Sequence, residues 1–328
     1  MALVMPAPTR MVIVITGASS GIGHATALAF AKRGDAVVLA SRGRAALATV
    51  ANEVAAAGGT PLIVETDVSR YEDCERLVRA AIAAFGHIDV WVNNAAVAEW
   101  TPFAHAEPAT IARVIDVNLL GLMYATRAVL PHFRHRRAGT LINVSSIVGD
   151  RAVPLLSTYS ASKAAVKSFS ESLRMELRAE KSGVNVVVIL PSAINTPFYT
   201  WGRSRLGVRP HPISVIYPPE AVAKAIVRAA DEPKRDVYVG AVGKLLSVAQ
   251  RISPRAVDAY MLQNRRMFRQ QLSGKPDRGE SNLFESPNES AIHGEFPREG
   301  KVTRAVFRSV AAGAVVALGA ILLLRRKG

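Results

Sequence analysis

Short apolar runs recur along this chain with room for one helix between most neighbours, and that alternation narrows the fold more than any single residue does. Met11 to Thr16 (MVIVIT) comes first, then Ala36 to Ala40 (AVVLA), Leu62 to Glu65, Ile88 to Val92, Leu141 to Val144, Val184 to Leu190 and Val237 to Gly240. Continuous apolar strands suit a parallel sheet covered on both faces by helices. Helical patterns intervene at about Ile22 to Gly34, Arg44 to Ala57, Tyr71 to Phe85, Pro108 to Arg136, Ser157 to Lys181 and Glu220 to Ala230. The alternation predicts an α/β fold: a doubly wound, Rossmann-type parallel sheet of about seven strands, with a C-terminal helical extension. Ligands of such sheets bind beyond the carboxyl ends of the strands. Gly17, Arg42, Asp67, Asn93, Ser146 and Pro191 all sit at those ends.

The first strand runs into GASSGIG, Gly17 to Gly23. A glycine-rich turn between strand and helix lets the backbone approach a pyrophosphate, which the helix amino terminus attracts. The spacing is G-x-x-x-G-x-G, and Ser19, Ser20 and Ile22 lie within it. About 20 residues on, where an acidic residue would hold a ribose hydroxyl, the chain has Ser41-Arg42 and no carboxylate. A guanidinium there pairs with a 2′-phosphate, which favours NADP(H) over NAD(H); a solvated arginine after a strand is the plainer alternative. Asp67-Val68 follows the third strand, where the carboxylate either meets an adenine edge or caps the next helix. Asn93-Asn94-Ala95-Ala96 closes the fourth, small enough for a backbone to run close to a ligand. Asn118, in a mostly apolar helical stretch, is a structural lock or a holder of water.

The stretch from Leu141 to Phe169 carries the chemistry. Tyr159 and Lys163 are four residues apart on one helix and share a face. A phenol with a pKa of about 10 is a poor acid–base catalyst at neutral pH, and a neighbouring ammonium favours its ionised form. Ser146, ending the strand, supplies a hydroxyl donor for a carbonyl oxygen. Donor, acid and cation are what reversible hydride transfer to a carbonyl requires. Each taken alone is common on ordinary surfaces; their placement at the strand ends gives them weight.

TGASSGIG (16–23), Asp67-Val68, NNAA (93–96), Asn118, Ser146, YSASK (159–163) and Pro191 with Thr196 occur in one order over about residues 11 to 245. In this the chain resembles the classical short-chain dehydrogenase/reductase family. The resemblance implies Tyr159 as general acid/base, Lys163 as its pKa-lowering neighbour and a ligand of the nicotinamide ribose, Ser146 rather than Ser145 on the substrate oxygen, and Asn118 holding a relay water. It also implies that Gly17, Gly21, Ile22 and Gly23 line the pyrophosphate, that Asn94 and Ala95 lie near the adenosine, and that Ile194 and Thr196 meet the carboxamide end. The family usually pairs subunits, so a dimer or tetramer is expected. One departure is Ser192, where the family usually has glycine after Pro191.

From Ala193 to Tyr217 no period is visible, and the resemblance makes this a lid (about 193–217). Phe198, Tyr199 and Trp201 suit an apolar or ring-bearing carbonyl compound or alcohol; Arg203, Arg205 and Arg209 would instead meet an acidic group. Domain limits follow: 1–245 catalytic, 246–272 a helical extension, 273–303 a linker or loose arm rich in Gly, Pro, Ser, Asn and Glu, and 304–328 a hydrophobic helix. In the last, Ser309 to Leu324 carries no charge between Arg308 and Arg325-Arg326-Lys327. Extended back past Arg308 it reaches bilayer length, so the expectation is membrane association through the tail with a cytoplasmic catalytic domain. A buried helix in a soluble cytoplasmic protein is the alternative.

Charge separates the remaining classes. With 41 Lys+Arg against 26 Asp+Glu the formal net charge is +15, which can attract nucleic acid, but no recognition motif or stacking platform accompanies it, so no nucleic-acid partner is expected. The single cysteine, Cys74, excludes an intrachain disulfide, and no metal-ligand cluster is visible. The expected activity is NADP(H)-dependent interconversion of a carbonyl and an alcohol on a small molecule. The alternative is a catalytically silent NADP-binding sensor or scaffold at a membrane, which intact Asn118, Ser146, Tyr159 and Lys163 disfavour.

Overall fold

The computed structural model describes residues 10–212, 215–262, 271–277, 279 and 281–296. The expected membrane helix, 304–328, lies outside them.

Strands β1 (Val12–Thr16), β2 (Ala36–Ser41), β3 (Thr60–Glu65) and β4 (Val90–Asn93) alternate with helices α1 (Gly21–Ala31), α2 (Arg44–Ala56) and α3 (Tyr71–Phe85). A two-residue strand β5 (Glu99–Trp100) precedes α4 (Pro108–Ile115), which passes through a π-type turn at Asp116–Leu120 into α5 (Gly121–Arg136). Then come β6 (Gly139–Val144), α6 (Ser157–Ala179) and β7 (Val184–Pro191). The segment expected to be a lid contains a short helix α7 (Phe198–Trp201) and strands β8 (Arg203–Ser204) and β9 (Val208–Pro210) where the sequence shows no period. After α8 (Pro219–Asp231) and β10 (Asp236–Val239) follow α9 (Ala241–Ile252), α10 (Pro254–Leu262) and β11 (Leu272–Pro276).

Seven strands form one parallel sheet in the order β10-β7-β6-β4-β1-β2-β3. The expected doubly wound architecture is therefore present, with its order reversing between β1 and β4. Side chains alternate along each strand, so two cores form. Val12 and Val14 pack with residues of α3, α5 and α6, among them Leu77, Phe133 and Leu173. Ile13 and Ile15 pack on the other face with Phe30, Leu47 and Ile226 from α1, α2 and α8. The helix at 108–136 is long and apolar enough to cross a bilayer, but here it is a flank of the first core.

The expected loose arm packs differently over part of its length. Residues 281–296 lie against the body across the carboxyl ends of the strands: Leu283 is fully buried, and Asn195 Nδ2 donates to Phe296 O at 2.9 Å. β11 pairs antiparallel with β9, so the lid is the arm's support.

Candidate active site

The strand ends open into a trench of about 600 Å³ that runs from Arg42 and Asp67 at one end to Leu246 and Met261 at the other. Of the residues expected in the site from sequence, Gly23, Asn93, Asn118 and the arginines Arg203, Arg205 and Arg209 do not line it; the other catalytic, cofactor and substrate candidates do.

The glycine turn is shaped for close approach. Gly17 has φ +67°, and a Cβ there would stand 2.8 Å from Ala95 Cα; a Cβ on Gly23 would stand 2.1 Å from Gly17 O. Only glycine tolerates both the left-handed backbone and the contact. Asn94 holds this turn, its amide Nδ2 donating to Thr16 O (3.0 Å) and Gly17 O (3.1 Å), while Asn94 N and Ala95 N donate to Thr16 Oγ1. Thr196 closes from above, its Cβ and methyl within 3.2 Å of where a Gly21 Cβ would be. This side-chain-free cradle fits a nicotinamide dinucleotide.

At the far end of β2, Arg42 donates from Nη2 to Asn282 O (2.6 Å) and from Nη1 to Phe284 O (2.8 Å). Burial and the charge of Arg113 both lower its pKa. Asp67, expected at an adenine edge or as a cap, accepts from Arg113 Nη2 (2.9 Å) and from Ser69 N and Oγ (3.0 and 2.7 Å). Those bonds hold its carboxyl below the usual range against the opposing pull of burial.

Between the two ends stand Ser146, Tyr159 and Lys163. Ser145 and Ser146 part company at the end of β6: Ser145 Oγ donates to Lys163 O (2.8 Å) and ties the strand to α6, whereas Ser146 hydrogen-bonds the Tyr159 side chain. Lys163 Nζ lies 5.7 Å from the Tyr159 ring centroid and donates to Val144 O (2.9 Å). Burial raises the Tyr159 phenol, the Ser146 bond opposing it, and burial lowers the Lys163 ammonium to about 8. Asn118 sits behind this helix, with Oδ1 accepting from Val97 N (2.8 Å) and Nδ2 donating to Val97 O (2.9 Å) and Ser162 Oγ (3.1 Å). Its side chain is thus a lock between the β4 loop and α6.

The end of the trench beyond Tyr159 is aromatic. Phe198 lies 5.3 Å from the Tyr159 ring and 5.1 Å from that of Trp100; Tyr199 lies 5.7 Å from Trp100. Val153, Leu156, Leu246 and Met261 complete the lining. Trp100 and these four escaped the sequence reading. Trp100 carried a signal, seven residues past the end of β4, but the others come from loops and from α9 and α10, whose docking no local pattern announces. The lid arginines turn away from the chamber: Arg205 Nε pairs with buried Glu99 at 3.0 Å, Arg203 Nε with the same carboxylate at 3.6 Å, and Arg209 with Glu295 at 2.9 Å. Asp150 also went unnoticed; it accepts from Tyr238 OH (2.7 Å) and Ser247 Oγ (2.9 Å) and pairs with Lys167, pinning the loop after β6 to α9. Ser192, the departure from the family pattern, fits because Gly240 and Gly243 leave it room: a Cβ on either would stand 2.5 or 2.3 Å from Ser192 Oγ.

The family model for short chain dehydrogenases matches residues 11–204. This chain belongs to the short-chain dehydrogenase family. It is an NAD(P)-dependent dehydrogenase/reductase, in keeping with the cradle beside Tyr159. Among similar proteins is the uncharacterized oxidoreductase YxnA of Bacillus subtilis, 40% identical over 319 residues, covering 93% of this chain and 88% of that protein. A short-chain dehydrogenase from Burkholderia phymatum, solved in complex with NAD, superposes with a TM-score of 0.68 at 26% identity, over 79% of this chain and 97% of that one. An alcohol dehydrogenase from Thermococcus sibiricus, solved with 5-hydroxy-NADP, gives 0.61 at 27% identity, over 70% and 94%.

Proposed function

We propose that this enzyme interconverts a carbonyl and an alcohol on an apolar, ring-bearing small molecule, with NADP(H) as the preferred cofactor. The observation that carries the reading is the Ser146–Tyr159–Lys163 group opening directly onto the chamber of Trp100, Phe198 and Tyr199. When bound, the nicotinamide supplies or accepts the hydride. Ser146 donates to the substrate oxygen, and Tyr159 gives it a proton in reduction and removes one in oxidation. Lys163, when protonated, favours the phenolate. The aromatic walls exclude water and hold an apolar skeleton. The pairing of Arg203 and Arg205 with Glu99 supports an uncharged substrate over an acidic one.

The NADP(H) preference is supported by Arg42 at the end of β2, where the chain has Ser41-Arg42 in place of an acidic residue that would hold a ribose hydroxyl. Solved relatives were crystallised with either form of the cofactor, so the preference rests on this chain's own residues. The test is fluorescence titration of both reduced cofactors, followed by a screen of apolar ketones. NADPH should bind at least tenfold tighter than NADH in a chain whose arm is undocked, and Arg42→Ala should erase the difference. Equal affinities there would overturn the preference.

Membrane attachment is part of the same reading, supported by the 16 uncharged residues from Ser309 to Leu324 between basic flanks. Deleting residues 304–328 should move the protein from the membrane pellet to the supernatant; a truncated chain that still sediments with membranes refutes it. The family resemblance adds a dimer or tetramer to this picture.

A further inference from the structure

Arg42 is held by a turn of main-chain oxygens from the far end of the chain. Besides its bonds to Asn282 O and Phe284 O, Nη1 lies 3.4 Å from Leu283 O and Nη2 3.4 Å from Glu285 O. Arg113 Nε donates to Leu283 O at 3.0 Å, so two guanidinium groups share that carbonyl. The Leu283 side chain is fully buried in the same core as Val64, Val68 and Cys74. A Cβ on Gly43 would stand 2.5 Å from Ser286 Oγ, so the arm lies directly on the β2–α2 turn. Further on, Gly21 N donates to Ala291 O at 2.8 Å.

These carbonyls are neutral acceptors occupying the guanidinium that a 2′-phosphate would use. A phosphate presents charged oxygens in bidentate geometry, adding to the guanidinium's hydrogen bonds an ion-pair attraction that a neutral carbonyl lacks. The 2′-hydroxyl of NAD(H) offers no comparable acceptor. We infer that residues 281–287 form a latch on the cofactor site, docked on Arg42 in the free enzyme and released when the 2′-phosphate of NADP(H) takes that guanidinium. NAD(H) leaves the latch closed. Asn282 N also donates to Trp201 O (2.8 Å), so the latch ties the adenosine end of the trench to the substrate lid. Release therefore frees α7 as the phosphorylated cofactor arrives. This rests on the NADP(H) reading above.

A single thiol can report it in the full chain. Cys74 is the sole native cysteine, fully buried, with its thiol pushed up to about 12, so it labels slowly. Leu283→Cys places a second thiol under the latch. Maleimide labelling of this variant should be slow in the free enzyme and with saturating NADH, and at least tenfold faster with saturating NADPH. Adding Arg42→Ala should make labelling fast without any cofactor. Ser286→Cys serves as an independent probe of the same turn. NADPH that binds through Arg42 yet leaves labelling unchanged or slows it overturns the latch while the cofactor reading stands. NADH that speeds labelling as much as NADPH also overturns it, as does slow labelling in the Arg42→Ala chain. Leu283→Asp, which undocks the arm, separates the two failures: NADPH binding no tighter than NADH in that chain defeats the cofactor reading and the latch together.

Discussion

The two ends of the trench are closed by different materials. At the substrate end, side chains do it: Trp100, Phe198 and Tyr199 stack around Tyr159, and Leu156 and Met261 fill behind them. At the adenosine end, main-chain carbonyls from 282–285 cover Arg42, and side-chain-free glycines form the floor. An aromatic wall selects by shape and by the absence of polar partners. A carbonyl rim selects by the charge of what can displace it. Opposite lessons follow for mutation, since the first end fails when a side chain is removed and the second when an acceptor is outcompeted.

The comparison breaks most sharply at Tyr159. Tyr159→Phe should lower turnover by about 10³-fold, within the range for general acid–base catalysis, and leave NADPH binding within about twofold. Steady-state rates and fluorescence titration check both halves, and a loss of cofactor affinity equal to the loss of rate would show that the two ends are not separable. Next in size is Trp100→Ala. Removing a fully buried indole costs about 3–5 kcal/mol of stability, measurable by urea unfolding, and should raise KM for a ring-bearing ketone more than it lowers kcat. A variant with unchanged KM would take the aromatic wall out of substrate recognition.

The smallest effect is a pH dependence. Burial lowers the Lys163 ammonium from its ordinary 10.5 to about 8, so the rate of reduction should fall above pH 8 as the ammonium is lost. Lys163→Arg should carry activity, at a lower level, to higher pH. Stability moves the other way. Between about 8 and 10.5 the unfolded chain binds more protons at this site than the folded one, so the contribution of Lys163 to stability rises with pH across that window. Urea melts at pH 8 and pH 10 in the wild type and in Lys163→Met isolate the term. A rate profile flat from pH 7 to 10 would show that the ammonium does not tune Tyr159.

This contrast also explains what could be read from sequence. The strands and helices were legible because buried parallel strands are apolar without interruption, as in MVIVIT and VNVVVIL, and because their helices repeat at the helical period. Ser146, Tyr159 and Lys163 were legible because their chemistry lies in their side chains at fixed spacings. The arm was not. Its contacts with Arg42 are carbonyls, which every residue possesses, so SNLFESPNES reads as a loose linker although Leu283 is buried. Asp67 and Asn94 show the intermediate case. Their positions at the strand ends were evident, but their partners, Arg113 and the Thr16–Gly17 backbone, depend on where α4 and the glycine turn meet them.

The π-type turn at Asp116–Leu120 has a consequence for how this chain can change length. A helix advances about 100° per residue, so one residue more or less rotates everything beyond it by more than a quarter of a turn. The wide turn absorbs one such step inside an unbroken rod, letting Thr110 on α4 face Glu99 and Val129 on α5 face the core. Deleting a single residue between 116 and 120 would restore a uniform pitch at the cost of phase. Asn118 would swing away from Val97 and Ser162, and one end of the rod would turn its buried stripe to water. The wide turn works as a phase shifter, and its single surplus residue cannot be trimmed.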